Sequence, residues 1–228
     1  TPRIGCNSLS DLHIPPDASA AEQLAHWFGS APGRYVLAWE QAQLDVALAD
    51  LFGFHALQLG LPQLDALRAN RMPHRWLALE QPPIVGGVAT RAAVECGEAE
   101  AGATPRMSSL ACEFDALPFA DRSIDLVVLP HTLELAHDAH QTLAEVERVL
   151  MPEGKVAIVG FNPISLWGLR QTLGGLRRGP TFLPRDGAFI HQRRLRDWLR
   201  LLSFEIEDGR FGCYRPPLRT ARWLDRSE

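Results

Sequence analysis

Ile124-Asp125-Leu126-Val127-Val128-Leu129 is an almost unbroken apolar run, rich in β-branched residues and of strand length. A strand that apolar is covered on both faces, as in a parallel sheet packed between helices. The residues that follow supply such a helix and the next strand. Ala139 to Leu150 puts Leu143, Val146, Val149 and Leu150 on one face and is stopped by Met151-Pro152-Glu153-Gly154. Lys155-Val156-Ala157-Ile158-Val159-Gly160 is then a second apolar run. Working backwards, Ser108 to Cys112 reads as a strand, and so does Arg75 to Leu79, which Pro82-Pro83 ends. Phe54 to Leu59 is the first strand, closing at Gly60, with a short helix expected over Gln63 to Asn70. Arg34 to Leu51 carries Leu37, Leu44, Leu48 and Leu51 at the 3.6-residue period and precedes it as an amphipathic helix. Alternating strands and helices give an α/β fold with a doubly wound, mostly parallel sheet. Such sheets bind ligands beyond the carboxyl ends of their strands. Function is therefore expected at 60–64, 80–81, 113–115, 130–134 and 160–164.

Residues 1–32 read as an N-terminal arm with one helical stretch, Ala20 to Phe28, and residues 33–228 as one domain. Within that domain, Val88 to Cys96 is expected to be helical and Gly97 to Pro105 a loop. Ile164 to Arg178 is expected as a helix, and Arg193 to Leu202 as another facing inward through Leu195, Trp198, Leu199 and Leu202. Phe204 to Arg210 reads as a sixth strand.

With 46% apolar and 22% charged residues over 228 positions, the chain can bury a core unaided, which excludes disordered and fibrous classes. No apolar run approaches the ~18 residues of a membrane span, and Thr1-Pro2-Arg3-Ile4-Gly5-Cys6 lacks the build of a signal peptide. A soluble, cytoplasmic protein is expected. Cys6, Cys96, Cys112 and Cys213 are widely spaced and read as reduced packing residues. Residues 1–160 hold 10 basic and 20 acidic side chains, whereas 161–228 hold 13 and 7, the basic ones all arginine. A basic tail can meet RNA, although a solvated face over a buried stripe is the commoner outcome.

The run Cys112-Glu113-Phe114-Asp115-Ala116-Leu117-Pro118-Phe119-Ala120-Asp121-Arg122-Ser123-Ile124-Asp125 resembles the class I S-adenosylmethionine-dependent methyltransferases. In their small-molecule branch an acid and Leu-Pro-Phe precede the fourth strand. Arg148-Val149-Leu150-Met151-Pro152-Glu153-Gly154 is similar to that branch's step into strand five. Gly160-Phe161-Asn162-Pro163 and the residues after it resemble a bacterial subgroup of that family. The resemblance runs from about residue 34 to 217. It implies methyl transfer from S-adenosylmethionine to an acceptor, most simply a small molecule, with the cofactor held by Gln58, Gly60, Glu80, Glu113, Phe114 and Pro130. Glu80, twenty residues after Gly60, takes the place of the ribose-binding acid. Glu113 aligns with the acceptor for the adenine amino group, and Phe114 with its ring-bracketing neighbour.

Two departures stand out. The family's acid before the glycine-rich loop is Gln58 here, and its second and third glycines are Pro62 and Leu64, side chains expected where cofactor would lie. The family's sheet ends in a strand pair, and no seventh strand is recognisable before Glu228. The alternative function is thus a methyltransferase-like binding or scaffolding module without catalysis. His131 is the candidate general base, with Glu134 to orient it, and Asn162 a candidate substrate contact. His137, Asp138 and His140 read as the start of a surface helix, and no metal site is expected.

Overall fold

The structure, a computed structural model, describes residues 19–80, 84–85, 88–89, 108–165 and 189–213. Seven strands are described, β1 (His55–Leu59), β2 (His74–Leu79), β3 (Ile84–Val85), β4 (Val88–Ala89), β5 (Ser108–Ala111), β6 (Ile124–Pro130) and β7 (Leu150–Val159). Five of them form one sheet in the order β5-β2-β1-β6-β7, and every pairing in it is parallel. β3 and β4 form a separate antiparallel pair. The helices are α1 (Ala20–Phe28), α2 (Ala31–Leu48), α3 (Thr132–Leu135), α4 (Ala139–Val149) and α5 (Gln192–Leu201).

Local chemistry fixes where the helices start. Ser19 caps α1 in a capping box: its hydroxyl accepts from the Glu22 N–H at 3.2 Å, while the Glu22 carboxylate accepts from the Ser19 N–H at 2.8 Å. Ser30 accepts from the Gly33 N–H at 3.2 Å and Pro32 lies in the first turn, so α2 begins three residues before the periodicity alone suggests. Asp138 caps α4 through the N–H groups of His140 and Gln141, which gives the His137-Asp138-His140 stretch the helix-start role read from sequence.

The period of two along the strands separates two cores. Leu57, Leu59, Val127 and Leu129 face one side, where α4 brings Leu143, Val146 and Val149 and α5 brings Leu199, with Leu195 and Trp198 packed at the margin. Ala56, Leu126 and Val128 face the other, against Leu44 and Leu48 of α2 and Leu64, Leu67 and Met72. α1 packs through Leu24 and Phe28 onto Val36 of α2.

Three expectations are corrected. Residues 63–70 form successive turns instead of a helix, with N–H···O bonds from Leu64 to Leu61, Arg68 to Asp65 and Asn70 to Leu67. The reason is Gln58, whose amide takes the Leu64 carbonyl and the Ala66 N–H that a regular helix would use. Val88–Ala89 is a strand, not the start of a helix, and 90–96 lie outside the described residues, as do 97–105 and most of 164–178. Phe204 to Arg210 makes no ladder: only Phe204 is partly buried, and Asp208 turns back on itself by accepting from Gly209 N–H and Arg210 Nε.

Candidate functional site

β1 lies between β2 and β6, so the strand order reverses there, and sheets of this kind hold their ligand crevice beyond the carboxyl ends at that point. Both lips of this crevice are left-handed backbone. Gly60 has φ +75° and is followed by Leu61 at +44°, while His131 after β6 has φ +56°. Left-handed non-glycine residues cost about 1–3 kcal/mol each and persist only where the surroundings hold them. Here the holds are identifiable. The Gly60 N–H donates to the Ala78 carbonyl at 2.8 Å, the His131 N–H donates to Val159 at 2.8 Å, and the Thr132 hydroxyl donates to the Leu59 carbonyl at 2.5 Å, joining the two lips. A Cβ on Gly60 would stand 3.7 Å from the Phe114 ring and 3.7 Å from Thr132 Oγ1, which places these three residues around one small space.

Glu80 and Glu113 are exposed at the ends of β2 and β5. Partial burial, then the charges of Asp115 and Glu113, hold the Glu80 carboxyl above its ordinary range. Phe114 is buried beside Leu117 in the core, and Pro130 is buried at the end of β6. The structure thus brings Gly60, Glu80, Glu113, Phe114 and Pro130 to one end of the sheet. It does not leave Gln58 available there. The Gln58 side chain is wholly buried, donating to the carbonyls of Gly60 (3.1 Å), Leu61 (3.1 Å) and Leu64 (2.7 Å) and accepting from Ala66 N–H (3.0 Å). It shapes the loop from inside. Leu64, expected to crowd the cofactor, instead points into the core and is 1% exposed.

His131 is also reassigned. Its ring is inaccessible, with Nδ1 2.8 Å from Glu134 Oε2 and Nε2 3.0 Å from Glu40 Oε1. Burial alone would depress its pKa, but the two carboxylates outweigh that and raise it to about 10. Both ring nitrogens are engaged by carboxylates, so neither is open to take a proton from an acceptor, and His131 does not stand as a general base. Glu134 Oε1 accepts in turn from the Phe161 N–H at 2.6 Å, fixing the chain after β7. Asn162 opens a turn, its Oδ1 accepting from Ile164 N–H at 3.0 Å, and it lines a cavity of about 390 Å³ together with Trp39, Glu40, Phe161 and Phe211.

Two residues were missed from sequence. Glu40 interrupts the i, i+4 stripe Val36, Leu44, Leu48 on the buried face of α2, and a carboxylate in such a stripe is a signal in itself. Arg148 joins the two segments on which the family resemblance rests. Its guanidinium donates to the carbonyls of Leu117 and Phe119, both at 3.1 Å, and pairs with Glu145 and Asp121. Glu145 completes the clamp by accepting from Leu117 N–H at 2.9 Å.

Residues 73–158 match the profile of a methyltransferase domain family. The family match is confined to that stretch, and over the rest the chain shares the fold of solved methyltransferases. It is 47% identical over 90 residues to the uncharacterized protein YafS of Escherichia coli K12, a stretch covering 40% of this chain and 36% of that protein. It is 43% identical over 54 residues to malonyl-[acyl-carrier protein] O-methyltransferase 1 of Coxiella burnetii, covering 24% and 19%. The matched stretches thus span well under half of either curated relative. Among solved structures, the protein in complex with the Trm112 methyltransferase activator of Haloferax volcanii superposes with a TM-score of 0.57 at 21% identity, over 81% of this chain and 75% of that one. That likeness concerns the fold. None of the described helices is long and apolar enough to cross a membrane.

Proposed function

We propose that this domain binds S-adenosylmethionine across the carboxyl ends of β1, β2 and β5 and transfers its methyl group to an acceptor entering beside β6 and β7. The observation that carries the proposal is the convergence of Gly60, Phe114 and Thr132 on one space, flanked by the exposed carboxylates Glu80 and Glu113. The donor set fits the adenosine half of the cofactor. Carboxylates at the ends of β2 and β5 are acceptors for ribose hydroxyls and an amino group, and the backbone at Gly60 is free of a side chain. The cofactor, when bound, supplies an electrophilic methyl on a sulfonium, so the protein's task is alignment more than acid–base work. A buried His131 with both ring nitrogens engaged is consistent with that division. The partner is a small-molecule acceptor; Arg193, Arg194 and Arg196 of α5 are exposed, and Arg194 lies over the Trp198 ring of its own helix at 4.8 Å.

One observation favours a second reading, a domain that keeps the fold without the reaction. The side chain at position 58 is spent on its own loop and offers nothing to the cofactor's amino-acid end. Calorimetric titration with S-adenosylhomocysteine separates the two. Binding in the micromolar range supports the transferase. No heat and no thermal stabilisation at millimolar ligand supports the scaffold.

A further inference from the structure

The cavity of about 390 Å³ between α2, the segment after β7 and residues 210–213 is within the size range of small-molecule sites. Its walls are apolar and aromatic, from Trp39, Phe161 and Phe211, and Glu40 is the one carboxylate among its described lining residues. Glu40 is 5% exposed, and only one of its oxygens is used: Oε1 meets His131, while Oε2 is buried without a hydrogen-bond partner. A buried acceptor left unmade typically costs about 1–3 kcal/mol, more when it is charged. The surrounding charges do not relieve it. One imidazole serves two carboxylates, Glu134 at 2.8 Å and Glu40 at 3.0 Å, and leaves Glu40 Oε2 unserved. Arg210 also lines the cavity, but it is exposed and its guanidinium is turned to Asp208 (3.1 Å) and Gln43 (3.3 Å).

We infer that this cavity recognises an organic ammonium, a ligand whose cationic nitrogen pairs with Glu40 Oε2 while its apolar body lies against Trp39, Phe161 and Phe211. An ammonium supplies a donor for the orphaned oxygen and sets a positive charge opposite the Glu40 carboxylate. Aromatic walls add cation–π attraction and exclude water. A neutral alcohol would satisfy the hydrogen bond without the attraction between charges, and a carboxylate would set a second acceptor against Glu40. Resting on the methyltransferase reading, Glu40 becomes the residue that selects an amine-bearing acceptor, anchored by its ammonium.

The test uses the whole chain and three probes of similar shape, 2-phenylethylamine, 2-phenylethanol and 3-phenylpropionate, titrated at pH 7 by calorimetry without cofactor. The amine should bind at least tenfold more tightly than the alcohol, with the carboxylate weakest. Glu40→Gln keeps an oxygen for His131 and should erase the preference. Should that variant not fold, Phe211→Ala, at a half-exposed wall position, should weaken the amine about fivefold or more. Equal binding of amine and alcohol, failure of the amine to bind at millimolar concentration, a preference that survives Glu40→Gln, or an unchanged affinity in Phe211→Ala each overturns the inference. Titration with S-adenosylhomocysteine on the same samples keeps the two readings apart. Amine selectivity without nucleotide binding removes the methyltransferase reading alone, and nucleotide binding without selectivity removes this one alone.

Discussion

Leu64 stands where related loops carry a glycine, and its replacement by alanine separates two accounts of the loop. In the structure the side chain is 1% exposed among Leu44, Leu48, Ala56, Leu67 and Met72. Truncating a buried leucine costs about 2–5 kcal/mol, depending on how far the surroundings can collapse into the gap. Collapse is restricted here, because the Leu64 carbonyl is held by Gln58 at 2.7 Å and its N–H by Leu61 at 3.1 Å. The loss should therefore fall in the upper part of that range, about 3–5 kcal/mol. For a chain of this size, where each kcal/mol moves the midpoint by ~2–4 °C, Tm should drop by roughly 6–20 °C. Leu64→Gly should lose about 1 kcal/mol more through backbone freedom. Thermal melts followed by far-ultraviolet circular dichroism, with S-adenosylhomocysteine titration in the cold, give both quantities. A Leu64→Gly variant that melts like the parent and binds the nucleotide more tightly would refute the core placement and show that the side chain crowds the cofactor.

Glu80→Ala and Glu113→Ala should each weaken S-adenosylhomocysteine by about ten- to over a hundredfold, the equivalent of ~1.5–3 kcal/mol per charged hydrogen bond, without moving the ligand-free Tm. Affinities equal to the parent's would displace the cofactor from these strand ends. His131→Gln should lose about 3–5 kcal/mol at pH 6, since it strands buried carboxylates. The folded pKa of about 10 lies above the ordinary 6.5, so the imidazolium's contribution is complete below about pH 6.5 and fades as pH rises through 10. The stability gap between parent and variant, from urea unfolding at each pH, should shrink across that window; a gap independent of pH would mean a neutral ring. Arg148→Ala should cost about 2 kcal/mol by removing the donors to Leu117 and Phe119 from a partly exposed site, seen as earlier hydrogen exchange at residues 117–121. Unchanged exchange there would show the clamp to be idle.

The sheet was legible because its strands are short apolar runs whose covering helices repeat every 3.6 residues, signals carried by neighbours in sequence. Glu80 follows from its spacing after Gly60, whereas Glu113, Phe114 and Pro130 come from the family resemblance; all four fall at or just past the carboxyl end of a strand. The misreadings share a different cause. Gln58 and Leu64 were judged by what glycines and an acid do in related loops, yet their roles depend on one side-chain amide meeting backbone groups up to eight residues away. His131 reads as a base because it follows the fourth strand at the edge of the expected cleft, with Glu134 three residues on to orient it. The carboxylate that locks its second nitrogen lies 91 residues earlier, and no local pattern links positions 40 and 131.

The Arg148 clamp has a consequence for how fragments and fusions of this chain would behave. The guanidinium reaches back 27 to 31 residues to hold the turn before β6, and α4 leads directly into β7. Any circular permutation or domain insertion opened between residues 122 and 147 cuts the loop that this one side chain closes, turning an intramolecular clamp into an association between pieces. Opening the chain after β7 leaves the loop whole. The tolerable break points of this domain are thus unevenly spread, and its central third should be inherited and exchanged as one block.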